Sequence, residues 1–168
     1  MWLKEGPAEY SGHLVEEWVD GDSAFVEIVK DNQLFVLEQA HVQDEGFRAL
    51  SPMPDEWIYG LHTYYKGASV LHNLRGYLGD TLFRQAMSGI QADNAFTTLD
   101  AIGFKTALEV STGADLDPFF DAWVFAPGFS VFTVQEMNTQ PNGGAWDVDL
   151  AIRQLLRRAP NMHEQVPL

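Results

Sequence analysis

The chain has 168 residues, 24 acidic against 10 basic side chains, a formal net charge of −14 and no cysteine. The missing cysteines exclude a disulfide scaffold, a thiol nucleophile and a thiolate zinc site, and the acidity argues against a nucleic-acid partner, whose phosphates would be repelled. No apolar run approaches the ~20 residues of a membrane helix. The 46% hydrophobic content is enough for a core. Met1 to Pro7 lacks the basic start and apolar stretch of a signal peptide. Residues 1–60 carry 3 basic and 13 acidic side chains, so the acidic excess sits in the first third; a solvated face is the plain reading.

Tyr10, Leu14 and Trp18 recur every four residues, with Leu3 and Val15 near the same stripe, and predict a first helix. Pro7 fits it only in the first turn, where its missing N–H costs nothing. Asp20-Gly21-Asp22 ends it, and a second helix runs from Ser23 towards Val42. Residues 44–57 read as a loop because Gly46, Pro52 and Pro54 break any period. A longer helix follows from about Tyr59 to Tyr77, with Leu71, Leu74 and Leu78 on its apolar face. Gly79 stops it and Asp80 is predicted to cap the next helix, through Met87.

Thr98 is the candidate cap of a helix carrying Leu99, Ile102, Phe104, Ala107 and Leu108, ended by Gly113. Asp117-Pro118 opens a short helix with Phe119, Phe120 and Trp123. The grammar changes at Pro127-Gly128. Phe129 to Met137 reads as a strand, Asn138 to Gly144 as a turn, and Trp146, Val148, Leu150 and Ile152 alternate with polar residues as a half-buried strand. The expected organisation is a helical unit over 1–127 and a β-hairpin with a tail over 128–168.

Of the five histidines, no pair has the H-E-x-x-H spacing that sets two imidazoles on one helical face. His13 and Glu17, four apart, are a weak metal candidate. Asp115 and Asp117 could form an acid pair, although capping explains them better. Read from chemistry alone, Glu5 is a first-turn acid favouring the helix dipole, and Tyr64 is a core aromatic with a satisfied hydroxyl.

Four segments in order change that reading. Trp2-Leu3-Lys4-Glu5-Gly6-Pro7-Ala8 resembles the W-L-N-E-G-F-A segment of the aminopeptidase N family of zinc metallopeptidases. Thr63-Tyr64-Tyr65-Lys66-Gly67-Ala68-Ser69-Val70-Leu71-His72 resembles its T-Y-x-K-G-A-x-V-L-H helix start. Leu78-Gly79-Asp80-Thr81-Leu82-Phe83 and the stretch from Gly113 to Gly128 complete the resemblance, which spans about residues 2 to 158.

The resemblance implies a mostly α fold: the helical C-terminal part of a thermolysin-like catalytic domain, followed over 128–168 by the first strands of a β-sandwich, cut short. It implies that Glu5 is the third protein ligand of a catalytic zinc and that Tyr64, not Tyr65, donates to the oxyanion. Gly67 is expected to let another backbone approach, and Lys66 to support structure. Glu9, four residues after Glu5, is expected to face solvent. The implied parent enzyme removes N-terminal residues from peptides, with a peptide substrate and the N-terminal part of the same protein as partners.

Two departures bear on this. The family's H-E-x-x-H helix precedes the glutamate segment and is not among these 168 residues, and Pro7 and Lys4 replace the usual bulkier apolar residue and asparagine. The isolated chain is therefore expected to be inactive, with little zinc bound. The alternative is a non-catalytic binding or scaffold module derived from the peptidase fold.

Overall fold

The computed structural model describes residues 1–164 and 166. Seven helices are followed by a two-stranded antiparallel sheet: α1 (Trp2–Asp20), α2 (Asp22–Phe35), α3 (His41–Gln43), α4 (Gly67–Leu78), α5 (Asp80–Asp93), α6 (Ala101–Thr112), α7 (Asp117–Trp123), β1 (Phe129–Asn142) and β2 (Ala145–Arg157). The fold is thus mostly helical with a terminal hairpin, as the sequence predicts. No helix among the described residues is long and apolar enough to cross a membrane.

Helix α1 buries Trp2, Gly6, Tyr10 and His13 on one stripe and packs against α2 and α4. Trp18, expected on that stripe, is 87% exposed. The helix also begins earlier than Pro7 allows, so the proline lies inside it rather than in its first turn. Its ring removes the bond that a residue there would make to the Leu3 carbonyl; the flanking packing of Trp2 against Phe104 holds the turn regardless.

Helix α2 continues through a π-helical turn, Val36–Ala40, into α3, so the second predicted helix is one rod with an inserted residue. A second π turn, His62–Lys66, leads into α4, which buries Gly67, Ala68, Val70, Leu71 and Leu74. Around these gather Leu50, Phe83, Phe104, Leu108, Leu116, Phe119, Phe120 and Val124, one continuous core. Each leucine buried there removes apolar surface from water worth roughly 2 kcal/mol.

Three predicted caps are corrected. Asp80 does not cap α5; Gly79 holds that position with φ 78° and Asp80 accepts from Arg75 Nε at 2.7 Å. Arg75 also grips Glu17 through two 2.7 Å bonds, tying α1, α4 and the start of α5 together. The forked geometry matches the guanidinium to both carboxylates. Asp100, not Thr98, caps α6 by accepting from the Gly103 N–H at 2.7 Å. A side-chain oxygen one residue before the helix reaches the N3 amide; Thr98 is too far upstream. Asp117 is the first residue of α7, whose cap position belongs to Leu116.

The hairpin closes on Gly143 and Gly144, both at positive φ (57° and 92°). A two-residue turn of this hand matches the twist of the strands. The strands are longer than predicted, and the turn correspondingly shorter. One bulge interrupts the register between Val134 and Glu136. The alternation on β2 does not half-bury it: Trp146, Val148, Leu150 and Ile152 are exposed, and Val134 and Met137 opposite them are too.

The base of the hairpin is tied to the helices. The His163 ring packs on Trp123 with centroids 4.1 Å apart, and its Nδ1 pairs with the Ser130 hydroxyl. Gln154 donates to Ser130 Oγ at 2.8 Å and to the His163 carbonyl at 3.2 Å. Val166, the last described residue, borders the same junction.

Four histidines, His13, His62, His72 and His163, hold their protons more weakly than in water, chiefly because burial disfavours the charged ring. His163 is lowered to about 4. The unfolded chain therefore binds more protons than the folded chain below about pH 6.5. The contribution of these histidines is complete above that value and is lost as the pH falls towards the lowered folded values. Urea unfolding should show a decline between pH 7 and pH 5, with His163 contributing about 2 kcal/mol of it. The His163→Phe variant should show a shallower slope over the same interval.

Candidate active site

The site is built where α1 crosses the start of α4. Both helices present a glycine at the crossing, and the contact is backbone to backbone. A Cβ placed on Gly6 would lie 3.0 Å from Gly67 Cα, and one on Gly67 would lie 3.0 Å from Gly6 Cα. That is tighter than nine in ten real Cβ contacts, so a side chain on either glycine would push the facing backbone away by a few tenths of an ångström. The backbone that Gly67 admits is thus that of Gly6.

This crossing sets Glu5, one residue before Gly6, against Tyr64, three before Gly67. The Tyr64 hydroxyl lies within interacting reach of the Glu5 carboxylate. Glu5 is largely withdrawn from solvent, with its side chain 12% exposed, while Lys4 Nζ approaches its Oε1 at 3.0 Å. The Tyr64 phenol is raised above its ordinary value, first by loss of solvent and then by the Glu5 and Tyr59 charges. It therefore stays protonated, and a donor, throughout the neutral range. The neighbouring Tyr65 packs its ring on Phe35 at 4.8 Å.

The π turn that carries Tyr64 is fastened at its first residue. Asp44, 2% exposed, accepts from the Leu61 and His62 amides at 2.9 and 2.8 Å and from His62 Nδ1 at 2.6 Å. His62 Nε2 accepts from the Arg48 amide at 3.2 Å. One ring nitrogen donates and the other accepts, so the imidazole is neutral, in accord with its lowered proton affinity. Gly60 is required beside it, because a Cβ there would lie 2.7 Å from the Asp44 carboxylate.

At the other end of the turn Lys66 is 6% exposed, and its Nζ donates to the Arg48 and Ala126 carbonyls at 3.0 and 3.3 Å. Burial lowers it to about 8. Lys66 thus supports structure, as expected. Sequence reasoning does not find Asp44 or the role of His62: the two lie 18 residues apart with no motif between them.

The weaker metal candidates separate. His13 Nε2 approaches Glu9 at 3.9 Å, whereas Glu17 is occupied by Arg75, so His13 and Glu17 do not share a site. Glu9 is half-buried rather than freely solvated. Asp115 and Asp117 lie together, joined by Glu109, and all three could reach one ion. Lys105 pairs with Asp117 and Glu109, and the Leu116 amide donates to Glu109 at 3.1 Å, so the cluster already has local partners.

The Peptidase family M1 domain matches residues 1–123, and the chain belongs to that family. Aminopeptidase M1 of Arabidopsis thaliana is 24% identical over 140 residues, covering 80% of this chain and 16% of the relative. A membrane alanyl aminopeptidase of Heliothis virescens is 27% identical over 157 residues, covering 80% and 15%. An M1 zinc metallopeptidase of Deinococcus radiodurans, a mutant bound to a Tyr-Ser-Ala substrate, superposes with a TM-score of 0.63 at 24% identity. That match covers 73% of this chain and 27% of the other and establishes likeness of fold. The chain therefore spans about one-sixth of the length of the curated relatives it matches.

The glycine crossing carries a direct test. Gly12 lies on the same helix, and a Cβ added there would meet nothing within 4 Å. The Gly12→Ala variant should gain roughly 0.5–1 kcal/mol from helix preference alone. Gly6→Ala receives the same benefit but forces two backbones apart, and should fall below Gly12→Ala by about 1–3 kcal/mol in urea unfolding.

Proposed function

We propose that this chain is the part of a zinc aminopeptidase that supplies the third metal ligand, Glu5, and the oxyanion donor, Tyr64. The single observation that supports the reading most is a largely buried carboxylate, Glu5, close enough to a protonated phenol, Tyr64, to raise its proton affinity, the two set beside a glycine crossing. Family membership supports peptidase chemistry with zinc, and the relatives named as aminopeptidases support the release of N-terminal residues. In this reading residues 1–127 belong to the catalytic domain and residues 128–168 open a second, β-sandwich domain.

The donor chemistry fits zinc in part. Glu5 offers a hard carboxylate oxygen from a site with little water, which suits the ion. Among the described residues it belongs to no group of three metal-ligating side chains, so the two histidines and the general base must come from a segment outside these 168 residues. When bound, zinc supplies a Lewis acid to the substrate carbonyl.

The chain's own residues do the rest of their share. Glu5 would hold the ion through one carboxylate oxygen. Tyr64 keeps its proton and directs its O–H to the carbonyl oxygen as negative charge grows there, an interaction that strengthens towards the transition state. Asp44 and His62 hold the turn that aims it.

Alone, the chain should show no peptidase turnover. Mixed with the family segment bearing H-E-x-x-H, it should bind zinc and release N-terminal residues from peptides. In that assembled enzyme Tyr64→Phe should lower kcat about 10²–10³-fold with little change in KM, and Glu5→Gln should reduce zinc content. Full activity of Tyr64→Phe, or unchanged zinc in Glu5→Gln, would overturn the assignment.

A second reading, a binding or scaffold module without catalysis, draws on the exposed apolar side chains of the hairpin. It expects the pure chain to associate with itself or a partner. Sedimentation as a monomer with a sharp unfolding transition speaks against it.

A further inference from the structure

A cavity of about 420 Å³ lies at the junction of the helices with the hairpin. Its walls include Val36, Leu37, Phe47, Val70, Phe129 and Phe132, contributed by the α2 extension, the loop after α3, α4 and β1. Its volume falls in the ~300–1,000 Å³ range of small-molecule sites, and apolar walls with a few polar groups are their usual composition.

The polar groups on this wall are unequal. His62 is neutral and fully engaged by Asp44 and the Arg48 amide. Ser69 is bonded to Asn32 and to the Tyr65 carbonyl. Lys66 differs. Its ammonium has three N–H groups, of which two carbonyls take two.

No carboxylate among the described residues pairs with Lys66; its only resolved influence is desolvation. Glu164 borders the same cavity but is exposed and makes no ion pair with it. Buried charges in proteins are ordinarily neutralised by a partner. The positive charge is felt nearby: it helps to disfavour protonation of His163.

We infer that this cavity is a binding site for a small carboxylate with an apolar tail, the carboxylate neutralising Lys66 and the tail lying among the valine, leucine and phenylalanine side chains. The inference is independent of catalysis. Neither Glu5 nor Tyr64 borders the cavity, so a ligand there would leave the candidate active site open. The net charge of −14 repels anions in general, which makes recognition depend on the one buried cation rather than on overall attraction.

Octanoate and octanol share a tail and differ in charge, and both can be titrated into the 168-residue chain by calorimetry. Octanoate is expected to bind at one site, at least about tenfold more tightly than octanol. Lys66→Met should remove that preference, bringing the ratio of the two affinities to about one. Val36→Trp, which fills the cavity from a half-buried wall position, should weaken both ligands. Equal affinity for octanoate and octanol in the unaltered chain would overturn the inference. So would absence of octanoate binding, or an unchanged preference in Lys66→Met. The comparison of the two ligands in the unaltered chain decides the matter even if a variant fails to fold.

Discussion

The contact between Gly6 and Gly67 is the constraint on which the site depends. Two helical backbones meet there with no side chain between them, and the residues flanking the contact, Glu5 and Tyr64, are brought together as a result. A wider crossing would leave each with solvent instead of the other. The π turn preceding α4 carries Tyr64, between the buried Thr63 and Lys66. Such turns forfeit regular hydrogen bonding, and they survive where the surroundings over-determine them. Here Asp44 supplies that determination from below by accepting three hydrogen bonds.

A second polar structure ties this turn to the rest of the chain. Lys66 joins the Arg48 loop to the Ala126 segment, and the Leu50 and Ser51 amides both reach the Val124 carbonyl, at 2.9 and 3.1 Å. The loop between α3 and α4, the end of α7 and the base of the hairpin are thus held by backbone groups as much as by packing. Removing solvent from so many polar atoms is tolerable only because nearly all are bonded. The position of Tyr64 is therefore coupled to the junction of helices and hairpin through its neighbour two residues on.

Much of the fold is legible in the sequence because helices and stops follow local rules. The apolar periods of α1, α4 and α6 and the glycines at 79 and 113 place those elements within a few residues. The caps expected at Asp80 and Thr98 fail for a reason visible in the structure: an acid at a helix start can serve a distant arginine, and Asp100 stands closer to the helix than the threonine. Exposure of the hairpin cannot be read from alternation, because alternation records a pleat's two faces without saying whether anything covers one of them. At the site, chemistry alone does not connect Glu5 with Tyr64, since the two are separated by 59 positions of chain and leave no local trace. Only the ordered resemblance to a family points to them. Asp44 and His62 escape both routes, being a tertiary pair with no spacing rule.

The hairpin has a colloidal consequence. Its strands run for 14 and 13 residues, their outer edges are unpaired within the two-stranded sheet, and one face carries Val134, Met137, Trp146, Val148, Leu150 and Ile152 to solvent. Long edges with apolar neighbours are templates for strand addition; this pair has no lysine, and is blunted only by the bulge after Val134, by Pro141 and by the charges of Glu136, Asp147, Asp149, Arg153 and Arg157. Between molecules the remaining protection is mutual repulsion from the acidic excess. Acid that neutralises the carboxylates therefore removes the barrier to edge-to-edge pairing, as does salt that shortens the range of the repulsion. Repulsion between molecules thus comes chiefly from the charge of the helices, while the tendency to assemble rests in the sheet.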